Sequence, residues 1–124
     1  MSEDGTRLRA IRGATTVESD TSKQIGARTV ELLQAILHRN VLAVDDIVSV
    51  ILTATPDLTA DFPAVAARTI GLAQTPLICS QEIAVVGAMG HCVRVLLHCY
   101  MPVDQAVHHV YLHEARQLRL DLQE

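Results

Sequence analysis

An α+β fold, a small mixed β-sheet with one long helix on one face, is predicted by three features of the sequence. First, Ile25, Thr29, Leu32, Leu33 and Ile36 recur at helical spacing between about Thr21 and Arg39. Second, Ile47 to Thr55 (IVSVILTAT) and Cys92 to Met101 (CVRVLLHCYM) are dense in β-branched and apolar residues, the signature of interior strands. Third, the chain has 124 residues, 49% hydrophobic and 19% charged. That supports one core but not two, so residues 1–124 are read as a single domain.

The elements follow in order. Residues 1–7 are a polar lead-in, and Leu8 to Thr16 reads as a first strand in which Gly13 marks a close backbone approach. The long helix follows. Thr21 and Gln24 suit a capping box at its start, and His38, Arg39 and Asn40 suit its C-terminal end. The run from Ile47 is the central strand and stops at Pro56. After the turn-rich stretch Pro56 to Phe62, Pro63 suits an early helical position, so Ala64 to Leu72 is expected to form one or two turns. Pro76 to Glu82 is a third strand, Gly87 to Gly90 a loop, Cys92 to Met101 a fourth strand and His109 to Leu112 a brief fifth. Residues 115–124 read as an irregular tail.

Composition excludes several functions. There is no Trp, one Phe (Phe62) and two Tyr (Tyr100 and Tyr111), too few for base-stacking platforms. The formal charge of −4 opposes wide contact with a phosphate backbone, so no nucleic-acid partner is expected. No apolar run reaches the roughly 18 residues of a membrane span and the N-terminus is polar, so the expected setting is cytoplasmic with no membrane partner. The three cysteines form no close CxxC pair, which disfavours a disulfide framework or structural zinc. Nine of the ten basic residues are Arg, the side chain that grips carboxylates bidentately.

Side-chain alternation predicts assembly. In the fourth strand Val93, Val95, Leu97, Cys99 and Met101 share one apolar face, which should meet the long helix. The other face carries Cys92, Arg94, Leu96, His98 and Tyr100, too apolar for open water. One helix covers one side of a small sheet, so a second copy of the chain is expected on the other.

The chemistry-bearing residues are few. Arg94 lies mid-strand between valines and Arg12 stands between Ile11 and Gly13, so each must meet a buried partner or face an anionic ligand. Glu82 closes the third strand, where it can accept a substrate hydroxyl, act as a base or pair with an Arg. Cys79 has no neighbouring His in sequence to activate it and reads as an inert thiol. His109 and His113 stand four apart, a metal-ligand spacing only on a helix, and the residues between them look extended, so no metal is expected. No glycine-rich phosphate loop, GxSxG elbow or HExxH motif is present, and no cofactor is expected.

These motifs together resemble the AroH-type monofunctional chorismate mutases. Arg12-Gly13-Ala14-Thr15-Thr16-Val17-Glu18 is similar to the family's opening strand. Ala54-Thr55-Pro56-Asp57-Leu58, Phe62-Pro63-Ala64, Gln81-Glu82, Arg94-Val95, His109-Val110-Tyr111-Leu112, and Leu118-Arg119 with Asp121-Leu122 follow in the family's order. The likeness runs from about Leu8 to Leu122.

The resemblance implies rearrangement of chorismate to prephenate on the route to phenylalanine and tyrosine, without cofactor, covalent intermediate or acid/base step. It implies a homotrimeric pseudo α/β-barrel with active sites between subunits. It places Arg94 at the ether oxygen, where negative charge builds as the C–O bond breaks, and Arg12 at the other end of the dianion. Glu82 and Cys79 would contact the ring hydroxyl and Tyr111 a carboxylate. Phe62 and Ala64 of a neighbouring subunit would pack on the ring, and Leu118 and Arg119 would help close the site. Val65, Ile78 and Leu120 stand where family members can carry a basic residue, Thr and Pro. A Rid-type imine or enamine deaminase, which also uses interface arginines, and a non-catalytic small-carboxylate binding module are the alternative readings.

Overall fold

The computed structural model describes residues 5–119, apart from the side chain of Arg119. Five strands, β1 (Thr6–Thr16), β2 (Ile47–Ala54), β3 (Leu77–Gln81), β4 (Cys92–Pro102) and β5 (Val110–Tyr111), form one mixed sheet in the order β3-β2-β4-β1-β5. β4 runs antiparallel to both its neighbours, whereas β2–β3 and β1–β5 are parallel. Connectivity supplies the reason: parallel neighbours need long crossovers, and the helical segments provide them.

The helix α1 (Ser22–Arg39) carries the predicted face, with Ile25, Thr29, Leu32, Leu33 and Ile36 buried. Its capping differs from the expected box by one partner. Thr21 Oγ1 accepts from Gln24 N–H at 3.1 Å, but the Gln24 side chain accepts from Glu18 N–H, tying the end of the first strand to the helix start. At the other end the Asn40 side chain donates to Ile36 O and His108 O and accepts from His108 N–H, fastening the helix end to the approach to β5. A short helix α2 (Pro63–Ala67) opens with proline and runs into a wider turn over Arg68–Leu72.

The core lies between α1 and one face of the sheet. Val93, Val95, Leu97, Cys99 and Met101 of β4 are all buried there with Leu32, Leu33 and Ile36, as alternation predicted. Truncating Leu32 to Ala at such a site costs about 2–5 kcal/mol. Gly13 of β1 is where helix and sheet come closest. A Cβ there would stand 2.9 Å from Ile36 Cδ1 and 3.0 Å from Val110 O.

On the other face of the sheet, among the described residues, only the end carrying Ala14, Cys92 and Tyr111 is covered, by residues 113–119; the rest stands open. Leu8, Ile78 and Tyr100 are exposed on it, and Ile51, Leu96 and His98 are half-buried. The strand ends of β2 to β5 shift by one residue, and two boundaries depart further from expectation. β1 begins two residues early, taking up Thr6 and Arg7 from the lead-in, because it pairs with β4 as far as Pro102. The stretch expected to be irregular from residue 115 is, over His113–Arg119, a 3-10 helix. Ala115, fully buried beside Ala14 and Tyr111, anchors it to the sheet.

Candidate active site

The register of the sheet brings the predicted residues to its uncovered face. Arg94 of β4 pairs with Thr53 of β2 on one side and Ala14 of β1 on the other, and Arg12 pairs with Leu96. Arg12, Arg94, Thr53, Ile51, Leu96, Tyr111 and Leu118 line a cavity of about 430 Å³. Two guanidinium groups at the wall of one partly apolar cavity are suited to an anionic ligand with an apolar part.

Glu82 enters this arrangement from β3. Its N–H donates to Ala54 O at 2.9 Å, which carries the β2–β3 ladder one residue beyond Gln81. Its Oε2 stands 3.1 Å from Arg94 Nε and accepts from Thr53 Oγ1 at 2.6 Å. The Arg94 side chain is 45% exposed, so the ion pair adds little stability, about 0–1 kcal/mol. Its effect is to aim the guanidinium. Glu82 is not among the residues that line the cavity but borders it through Arg94 and Thr53, which are, and adjoins the exposed Ile83–Val86 segment.

Arg12 and Tyr111 are held by the β1–β5 pair. Arg12 N–H donates to His109 Nδ1 at 2.9 Å, and Leu112 N–H donates to Ala14 O. Burial first, and then the Arg12 charge, hold the His109 pKa below the usual imidazole value. Tyr111 is buried with Ala14, Cys92 and Ala115.

The remaining predicted residues gather elsewhere. Phe62, Pro63, Leu58 and Cys79 line a second cavity of about 340 Å³ at the β3 end of the sheet. Cys79 alternates with Ile78 and Ser80 and so points away from the face that carries Arg94. Burial raises its thiol pKa, partly opposed by the Ala64 N–H and the Arg68 charge. Ala64 is buried, whereas the Phe62 ring is 70% exposed. The loop that presents Phe62 is pinned by carboxylates: Asp20 accepts from the Thr59 and Ala60 N–H groups, and Asp61 accepts from Phe62 N–H and Ser22 Oγ. Those bonds hold both pKa values below the ordinary range.

The buried thiols of Cys92 and Cys99 are pushed up to about 11 by burial, which leaves them protonated at neutral pH. Among the described residues no three His, Cys, Asp or Glu side chains gather as a metal site, and no helix is long and apolar enough to cross a membrane. Leu118 lines the first cavity. The side chain of Arg119, with Leu120, Asp121 and Leu122, lies outside the described residues.

Sequence reasoning missed Thr53 and His109. Thr53 had a readable signal, a polar residue on the same face of a β-branched strand as Ile51. His109 had none, because its partner is a backbone N–H distant in sequence.

The chain is similar to known proteins over nearly its whole length. A family model described as chorismate mutase type I matches residues 8–122. Chorismate mutase AroH of Bacillus subtilis (strain 168) is 44% identical over 117 residues, covering 93% of this chain and 92% of the relative. Chorismate mutase AroH of Thermus thermophilus is 44% identical over 119 residues, covering 94% and 97%. A solved chorismate mutase from Clostridium thermocellum superposes with a TM-score of 0.83 at 45% identity, over 88% of this chain and 98% of that one.

Proposed function

The chain belongs to the type I chorismate mutase family and is a chorismate mutase, an isomerase of aromatic amino acid biosynthesis, and from that premise we propose how its residues act. Arg94 stabilises the negative charge that develops on the ether oxygen of chorismate as the C–O bond breaks. Arg12 and Tyr111 bind carboxylate and hold the flexible dianion in its compact reactive conformer, an orientation effect. Glu82 aims Arg94 and offers an acceptor to the ring hydroxyl from the cavity's edge. Leu118 packs over the opening, and Arg119 adds charge there. The reaction is a pericyclic shift that uses no cofactor, no covalent intermediate and no proton transfer.

One observation carries the assembly. Arg12, Arg94 and Tyr111 share one cavity, while Phe62 and Cys79 line another. The two groups are halves of one site that meet when the β3 end of one copy covers the open sheet face of the next. Phe62 and Ala64 then pack on the ring, and Cys79 reaches the ring hydroxyl from the neighbouring copy. A closed ring of three such copies, a homotrimeric pseudo-barrel working in the cytoplasm as one domain per chain, buries the apolar face left open here.

The test has two parts. Protein treated with EDTA should consume chorismate, followed by its absorbance, and release prephenate. Mixing inactive Arg94→Ala with inactive Phe62→Asp should restore activity, because mixed assemblies contain sites with both halves intact. Failure of the mixture to recover, with subunit exchange verified, places both halves in one chain and overturns the shared site.

A further inference from the structure

The parallel pairing of β5 with β1 is short: Gly13 lies beside Val110 and Ala14 beside Tyr111. At Arg12 a side chain meets the β1 backbone, and the Arg12 N–H donates to His109 Nδ1 at 2.9 Å. A backbone N–H can only donate, so Nδ1 must carry a lone pair. The ring is therefore neutral, with its proton on Nε2.

The surroundings favour that state. Partial burial acts first, and the charged groups acting on the ring, Arg12 and then Arg9, are both cations of β1 that add to it. The preceding residue, His108, is clamped through its main chain by the uncharged Asn40 at the end of α1. The ring thus sits on a segment fixed from one side and bonded to β1 on the other. Protonation at Nδ1 would set two N–H groups against each other and break the bond.

We propose that His109 is a positioning residue for the rearrangement, its neutral ring holding the Arg12 backbone and the start of β5 so that Arg12 and Tyr111 face the substrate together. Protonation of the ring releases both. This rests on the assignment of Arg12 and Tyr111 to the substrate dianion.

Steady-state kinetics from about pH 8 to about pH 5 on wild type, His109→Asn and His109→Leu test it. Asn places an acceptor near the position of Nδ1 and does not titrate. Wild-type kcat/KM should fall about tenfold as the ring protonates, chiefly through KM, since binding geometry is what is lost. His109→Asn should stay within about threefold of wild type near neutrality and lack that acid limb, and His109→Leu should be about tenfold lower throughout. An acid limb unchanged in His109→Asn, or wild-type kinetics in His109→Leu, overturns the proposal.

A readout independent of the variants is the nitrogen NMR spectrum of wild-type histidines. The Nε2-protonated neutral form of His109 near pH 7 supports the bond, and the Nδ1-protonated form overturns it. Arg12→Ala with unaltered kinetics would instead overturn the substrate assignment beneath the proposal. An Nδ1-protonated ring alongside an inactive Arg12→Ala defeats the role of His109 alone.

Discussion

Arg94 and Glu82 meet across a strand that belongs to neither. Arg94 Nε of β4 lies 3.1 Å from Glu82 Oε2 beyond the end of β3, and Thr53 of the intervening β2 donates to that same oxygen at 2.6 Å. The guanidinium is held at its Nε edge, so its direction is set before any ligand arrives. A donor oriented in advance need not reorganise as charge develops, which is what makes such groups effective in transition states.

Arg94→Ala should therefore lower kcat by about 10² to 10³-fold, the usual loss for one donor to a developing oxyanion. Thermal stability should change little, because the side chain is nearly half exposed and its ion pair is screened. Turnover close to wild type in a folded variant would show that the charge is stabilised elsewhere.

Thr53→Val keeps the shape of the side chain and removes the hydroxyl that donates to Glu82. We expect kcat/KM to fall about 3- to 10-fold with circular dichroism unchanged, since one hydrogen bond to a charged partner is lost. Double-mutant kinetics with Glu82→Gln should show a smaller effect of Thr53→Val, because both act through the same oxygen.

Gly13→Ala is expected to destabilise the fold by about 1–3 kcal/mol, measured by urea unfolding. The new Cβ would meet Ile36 Cδ1, which can rotate, and Val110 O, which is backbone and can yield only if β5 shifts. Activity should fall along with stability, because Tyr111 moves with β5.

Asp57 provides a pH-dependent contribution to stability. Its carboxylate accepts from Thr55 Oγ1 at 2.5 Å and from His91 N–H at 2.9 Å, joining the turn after β2 to the start of β4. Burial opposes ionisation, but these bonds prevail and the pKa lies below the ordinary 3.8. A depressed carboxyl pKa means that the unfolded chain takes up the proton first. The stabilisation is thus complete above the ordinary value and is lost as pH falls through the depressed one. Asp57→Asn should cost about 1 kcal/mol at pH 7, a modest figure because the side chain is 44% exposed, and the gap to wild type should close on acidification. A gap that widens below the ordinary carboxyl range would contradict the assignment.

Much of the fold was legible because it is periodic. The face of α1 and the alternation of β4 repeat at fixed intervals, and burial of apolar surface is enough to orient both. Gly13 was legible as a close approach for a related reason, since a residue without a Cβ inside an apolar strand marks crowding. Arg12, Arg94 and Tyr111 could be singled out as residues, but nothing in their positions along the chain placed them at one cavity. The 3-10 turns of His113–Arg119 escaped notice because no short-range pattern specifies them; Ala115 packing against Tyr111 and Ala14 does.

The sequence by itself determined that this chain folds as a mixed sheet with a long helix on one face and a second, largely apolar face, and its ordered motifs identified its family. Hydrophobic periodicity and motif order are local properties, written residue by residue. Tertiary structure decided that one Glu82 oxygen meets both Arg94 and Thr53, that His109 bonds the backbone of Arg12, and that Cys79 and Phe62 face a separate cavity. Those relationships depend on strand order and register, which bring residues 29 and 97 positions apart into hydrogen-bonding distance, and a carboxylate, a hydroxyl or an imidazole has no partner until the sheet has formed.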